Sequence, residues 1–443
     1  MAAVKRKILL AIAVLIVTTL PWVYGQAPAP RPVTTPPAPG GKAQVVAPPP
    51  QIVPPANVVS RRYDPARMSP LQQHLYLSAQ RGAEWLQRRQ KPDGRFIYGF
   101  SPSLRQPLEE DSYLAQIEAT FVLARSARFF NNENAGFEAR RALLTLLLNT
   151  TNDPKDKQIR YSIPPSTFVN RPAAAGLLLL AISELPAPPK IENDLLEAAD
   201  QLASFLQRQV RPDGSVSMTE GAEQASSDGR GSDDVENFSG PALLGIVRSQ
   251  KLRPMPWKLD ALHKARAHYQ SYWRQHKNAA MIREHSATFA EAFLLTRDNA
   301  FAEFVFEMND WLLTQQYQNM DPARQLWTGG FMPRVEGKAV SLPPDVRSAV
   351  AAQSLADACR TARLAGDPGR LGRYKEGLES CLKFVTTMQY TEANTQHFAE
   401  WYRQMLVGGF HASSRDGDLR LDYTLHAVAA VVQYLEYVAE LPL

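Results

Sequence analysis

Beyond residue 68, apolar residues recur at intervals of three and four, and β-branched alternation is rare. That is the spacing of helix faces rather than of strands. Two kinds of segment alternate. The first is amphipathic and rich in Arg, Lys, Gln and Glu, at 71–90, 135–149, 191–209, 257–276, 299–317 and 368–389. Leu196, Ala199, Leu202, Phe205 and Leu206 form one apolar stripe opposite a charged face, as suits a helix with one side in water. The second kind is rich in Ala, Leu, Val and Gly, at 110–127, 171–184, 233–249, 281–296, 345–364 and 421–440. Stretches such as PAAAGLLLLAI and LHAVAAVVQYL are apolar on most faces, so they must be buried on most faces.

Strict alternation of six solvated and six buried helices predicts an all-α domain. Six helix hairpins closing into an (α/α)6 toroid would cover every inner face. An open helical solenoid is the competing arrangement.

A motif recurs where outer helices end. Trp85-Leu86-Gln87-Arg88-Arg89-Gln90-Lys91-Pro92-Asp93-Gly94-Arg95-Phe96 is the clearest copy, and Phe205 to Val216, with Pro212-Asp213-Gly214, is the second. Looser copies run from Trp311 to Gln316 before Gly329-Gly330-Phe331, and from Phe384 to Gln389 before Gly408-Gly409-Phe410. Gln can cap helix-end groups, Pro-Asp-Gly turns the chain, and the aromatic tucks back into the wall. The motif resembles the Gln–Gly–aromatic repeat of the squalene-cyclase and protein-prenyltransferase superfamily, and that resemblance implies an α/α toroid. The superfamily's catalytic motifs carry over only in fragments. The nearest match to the cyclase Asp-x-Asp-Asp-Thr element is Gly231-Ser232-Asp233-Asp234-Val235-Glu236, without the first Asp and the Thr. Asp357 stands two residues before Cys359, as in the Asp-x-Cys element of the prenyltransferase zinc site, whereas Cys381 has no such Asp, and aromatic content is 9%. Near the C-terminus, Arg420-Leu421-Asp422-Tyr423-Thr424-Leu425-His426 is similar to the Arg-x-Asp-Tyr…His ending of α/α-toroid glucuronyl epimerases, shifted by one residue.

The N-terminus is different in kind. Lys5, Arg6 and Lys7 precede an apolar run, Ile8 to Leu20, with Val23-Tyr24-Gly25 before Gln26. Residues 1–25 read as a signal peptide or N-terminal anchor, which puts the rest outside the cytoplasm: periplasmic, extracellular or membrane-anchored. Residues 26–68 are rich in Pro, Ala and Val and read as a linker, tethering a toroid domain at 69–443 to a membrane or wall. The 443-residue chain carries a net charge of only +5 without a basic patch, so nucleic acid is not an expected partner. Cys359 and Cys381 fall on the two helices of one hairpin, where a disulfide and two buried thiols both fit.

In a toroid the inner helices share a direction, so their N-termini meet at one mouth, where polar side chains converge. There Asp422, His426, Asp234, Asp111 and His285 are the candidate catalytic groups. Arg347, Asp345, Arg283, Arg420, Tyr423 and Trp327 are candidates for holding a substrate. Asp422 and His426 are four apart, on one helix face. Taken singly, such residues also serve as helix caps or hydrogen-bonded structural histidines. The set suits acid/base chemistry on a polysaccharide or uronate, or another small-molecule ligand. A non-catalytic ligand- or protein-binding toroid is the alternative, and a terpenoid-type cyclase a third reading. No cofactor is called for, and two histidines among scattered carboxylates define no metal set.

Overall fold

In a computed structural model of the chain, the described residues are 63–163, 170–185, 193–218, 230–318, 322–335 and 338–442. The signal or anchor expected at 1–25 and most of the linker expected at 26–68 lie outside them. In chain order the helices are α1 (Pro70–Arg88), α2 (Tyr113–Phe130), α3 (Glu133–Leu147), α4 (Arg171–Glu184), α5 (Asn193–Gln209), α6 (Arg230–Leu252), α7 (Pro256–Gln275), α8 (Ile282–Thr296), α9 (Asn299–Leu313), α10 (Ser348–Ala365), α11 (Pro368–Thr386), the short α12 (Glu400–Leu406) and α13 (Leu421–Tyr437). Apart from α12, they are the twelve that the alternation predicts, with ends moved by a few residues. Helices α2, α4, α6, α8, α10 and α13 each pack on the next, and α13 packs back on α2. The ring is closed, which excludes the open solenoid.

Composition explains which helix goes inside. In α4 every residue except Arg171 and Ser183 is buried. Its approach to α6 is close enough to require glycine: a Cβ on Gly176 would lie 2.1 Å from the Pro241 carbonyl oxygen. Among the described residues no helix is long and apolar enough to cross a membrane. Cys359 and Cys381 are both buried free thiols. Burial pushes the Cys359 thiol up to about 12.

The recurring motif has one structural job. Gly94, Gly214, Gly329 and Gly408 turn the chain with φ of 89°, 88°, 89° and 95°, values that favour glycine. In three copies the Gln side chain spans two backbones. Gln90 Nε2 donates to Gly94 O and Glu138 O, Gln316 Nε2 to Gly329 O and Gly377 O, and Gln389 Nε2 to Gly408 O and Ser78 O. Each Gln thus ties its turn to the next outer helix, and Gln389 ties α11 to α1. The backbone N–H of the residue closing the turn is also engaged. Phe96, Phe331 and Phe410 donate to Gln116, Ser348 and Thr424 on inner helices, whereas Val216 donates to Tyr269 on α7.

Strands are the main departure from expectation. They are β1 (Gly99–Ser101), β2 (Gln106–Pro107), β3 (Thr150–Asn152), β4 (Arg160–Ser162), β5 (Arg334–Val335), β6 (Lys338–Ala339), β7 (His411–Ser413) and β8 (Asp416–Arg420). All pairings are antiparallel, and one four-stranded sheet runs β2-β1-β8-β7. Gly99 pairs with Arg420, which joins the first hairpin to the last and fixes the start of α13. Segments of two to five residues are too short to show a period.

The toroid axis is filled by charge rather than left open. Arg125 on α2 meets Glu184 on α4 at 4.0 Å, and Glu184 meets Arg248 on α6 at 3.2 Å. Arg248 meets Glu291 on α8 at 3.2 Å, and Glu291 meets Arg360 on α10 at 3.0 Å. On α13, Glu436 accepts from Arg125 at 2.5 Å. The Tyr437 ring lies under both Arg125 and Arg360, at 4.9 and 4.2 Å. Burial alone would raise Glu184, but Arg248, Arg128 and Arg125 hold it below the usual carboxylate range.

Two variants test this framework. Gln389→Leu removes the partner of the buried Gly408 carbonyl and of the buried Ser78 hydroxyl, each worth roughly 1–3 kcal/mol when left unpaired, and should lower the urea midpoint accordingly. Glu184→Ala removes the partner of three arginines and should cost about 3–5 kcal/mol, the range for breaking a buried ion pair. A wild-type midpoint in either variant contradicts the corresponding role.

Candidate functional site

A cavity of about 490 Å³ opens where α8, α10 and α13 begin, with Asn237 of α6 on its wall. Arg283 and Glu284 come from the start of α8, Asp345 and Arg347 from the turn before α10, and Asp422, Tyr423 and His426 from the start of α13. Six predicted residues therefore share one cavity: Arg283, Asp345, Arg347, Asp422, Tyr423 and His426. Phe331 to Arg334 enter from the loop after α9, one of two connections long enough to cover a mouth. The other supplies Ala412, Ser413 and Asp416 to an adjoining cavity of about 160 Å³, which shares Asp345, Arg347 and Tyr423 with the first.

Arg420 stands behind this wall. It donates to Asp422 from Nε and a terminal nitrogen at 2.9 and 3.2 Å, and to the Tyr98 hydroxyl at 2.5 Å. Its guanidinium lies 5.2 Å from the Tyr98 ring and 5.1 Å from the Tyr423 ring. Burial, with Asp422 adding, pushes Tyr98 up to about 12. Arg347 donates to Asp345 through Nε at 2.9 Å and stays 69% exposed.

The cavity floor fixes the state of His426. Arg283 and the Gln353 amide both donate to its Nδ1, each at 3.2 Å. Neither nitrogen can accept, so the ring proton sits on Nε2, 3.9 Å from Glu118 Oε2. Burial, reinforced by Arg283, lowers His426 to about 4. At neutral pH the ring is uncharged, its acceptor nitrogen is occupied, and it can offer only an N–H.

Two carboxyls share Arg283 and are driven apart. Glu118 accepts from Arg283 at 2.7 Å. Burial raises it, but Arg283 and His426 outweigh burial and leave it below the usual range. Glu284 also contacts Arg283, yet burial, with Glu118 adding, keeps it above the usual range. Carboxyls separated in this way can take different proton-transfer roles. Glu118 escaped the sequence reading because it lies a full turn inside α2 rather than at its start. A signal was available: it is an acidic residue in a mainly apolar helix, and a buried charge needs a partner.

Besides Arg420, three predicted residues do not reach the cavity. His285 is fully buried, with Nδ1 2.8 Å from Met281 O and the ring among Tyr269 and Phe289. Its position in α8 turns it away from the axis, and burial lowers it to about 4. Asp111 is exposed and accepts from Gln116 Nε2 at 2.8 Å, bracing the motif turn. Trp327 packs edge-on against Tyr317 at 5.2 Å, beneath Arg324. The Asp234 side chain lies outside the described residues. Among the described residues, no group of three or more His, Cys, Asp or Glu is placed to hold a metal ion.

No family model and no curated protein matches the chain. Solved structures match it in fold. A cellobiose 2-epimerase from Bacillus thermoamylovorans aligns with a TM-score of 0.57 at 10% identity, over 80% of this chain and 96% of that one. An unsaturated glucuronyl hydrolase from Bacillus sp. GL1, responsible for glycosaminoglycan degradation, gives 0.56 at 13%, over 82% and 97%. An α-1,6-mannanase of Salegentibacter sp., in complex with α-1,6-mannotriose, gives 0.51 at 11%, over 81% and 98%. The class that fold and ring closure define is the α/α toroid, as the alternation and the motif had implied.

Histidines with lowered proton affinity make stability depend on pH. His285 and His426 bind protons less tightly when folded, at about 4, than at their ordinary 6.5. His411 shifts in the same direction. Below pH 6.5 the unfolded chain therefore binds more protons, and acid favours unfolding. The unfolding free energy should fall as pH drops from 6.5 towards 4, by up to about 1.4 kcal/mol per unit for each histidine. Urea titrations at pH 7, 6 and 5 check this, and His426→Gln should remove one histidine's share of the slope. Equal midpoints at pH 7 and 5 in the parent chain would refute it.

Proposed function

We propose that this chain acts on a polysaccharide or uronate by acid/base chemistry at the toroid mouth. The carrying observation is the cavity that Glu284, Asp345 and Asp422 share with Arg283 and Arg347. Glu284 is the proton donor, since burial favours its neutral form. Asp422, oriented by Arg420, is the acceptor. Arg347, exposed at the rim, suits a sugar carboxylate, which a guanidinium can hold through two hydrogen bonds. Fold alone does not select a reaction, but three carbohydrate-acting enzymes with this fold support the reading. The basic-then-apolar N-terminus supports export to the cell envelope.

A second reading, a binding toroid without turnover, is favoured by one feature. Asp345 and Asp422 are each already paired, with Arg347 and Arg420. The terpenoid-cyclase reading loses ground, because Phe331 and Tyr423 are the only Phe, Tyr or Trp on the described cavity wall. A carbocation cavity calls for many aromatic faces.

The test is a panel of neutral and uronate-containing oligosaccharides, with products followed by mass spectrometry and binding by calorimetry. Glu284→Gln should lower kcat by about 10²–10⁴-fold, the usual contribution of a general acid, with little change in KM. Arg347→Ala should raise KM for acidic substrates and leave neutral ones unaffected. Binding without product by the parent chain selects the second reading. Neither binding nor product across the panel removes both.

A further inference from the structure

Beneath the floor lies a second, smaller cavity of about 50 Å³ on the toroid axis. Arg283 and Glu284 belong to the walls of both cavities, so this pair separates them. The lower wall belongs to the charge ring, with Arg125, Arg248 and Glu291. Leu177, Leu180 and Leu244 close its sides.

Two polar atoms at this wall are unsatisfied. Gln433 is 7% exposed, and its Oε1 has no hydrogen-bond partner among the described residues. Rotating the amide only exchanges an unpaired acceptor for an unpaired donor. The Arg248 Nε is likewise buried without a partner, although its two terminal nitrogens bond Glu184 and Glu291. A stranded buried donor or acceptor costs roughly 1–3 kcal/mol. The residues that carry this acceptor and this donor both line the same cavity. One water needs roughly 10–15 Å³ of such space and two to four polar partners. The cavity has the room and the partners. The opposing charges on its wall balance closely enough that a neutral dipolar ligand fits better than an ion.

We propose that this axial cavity is an internal water-binding site, in which water accepts from Arg248 Nε, donates to Gln433 Oε1 and reaches Glu284 from below. This goes beyond the proposed activity and does not depend on it. Glu284 thereby keeps a hydrated side when a ligand fills the cavity above, and the charge ring is joined to the floor by hydrogen bonds instead of facing an apolar gap.

The test is a crystal structure of the full chain at about 1.5 Å or better, paired with crystals under xenon pressure. Apolar, dry cavities take up xenon, whereas hydrated polar ones do not. The expected result is water density within hydrogen-bond range of both Gln433 Oε1 and Arg248 Nε, with no xenon on the axis. Xenon in the cavity, or a cavity without water density, overturns the proposal. Gln433→Leu should fold and lose the water nearest residue 433, and unchanged water positions in that variant also count against it. If the variant does not fold, the xenon experiment on the parent chain still decides.

Discussion

Six inner helices meet on one axis, and each brings a charge or a ring to it. Going round, the signs run Arg125, Glu184, Arg248, Glu291, Arg360, then Glu436 with Tyr437. A closed ring with an even number of members can alternate signs without placing like charges side by side. This ring does so, with Tyr437 bridging the two arginines at its seam. Buried charges are strongly disfavoured without partners, so each inner helix is held in rotation and in height by its neighbours' charges. Such a network adds little net stability over an apolar core, but it penalises every arrangement in which one member is displaced. The ring also blocks the axis, turning what would be a tunnel into a cavity with a floor.

The outer wall solves a different problem with a different device. Hairpin turns must reverse the chain and leave few backbone groups unpaired. The Gln of the motif answers both needs by bonding its own turn and a carbonyl of the next outer helix. The motif is therefore a joint between neighbouring hairpins. Its role is architectural and needs no catalytic residue, which accounts for its presence without the complete cyclase motif that accompanies it elsewhere.

Ring and floor together set the chemistry available at the mouth. Arg283 carries charge from the axis to the cavity, bonding Glu118 and Glu284 and donating to His426. A histidine with two donors on one nitrogen is a fixed hydrogen-bond donor, and two glutamates on one guanidinium cannot behave alike. Further out, Arg420 and Arg347 hold Asp422 and Asp345. The mouth is thus graded, from buried groups with displaced proton affinities at the floor to exposed paired groups at the rim.

Sequence by itself determined the twelve helices and their sorting into inner and outer, and it pointed to a closed ring with an open solenoid as the rival that only the tertiary contacts excluded. Each follows from local periodicity or from the need to cover an apolar face, and both are written along the chain. It also located much of the cavity, since Asp422, Tyr423, His426, Arg283, Asp345 and Arg347 cluster at inner-helix starts. Only the tertiary structure decided which helix starts face the cavity, so Asp111, His285 and Trp327 turned out to brace turns and core. It alone paired Glu118 with Arg283 across α2 and α8, set the tautomer of His426, and joined β1 to β8. Those features depend on contacts between residues from 73 to more than 300 positions apart, where the residue types show that a partner is needed but not which one the fold supplies.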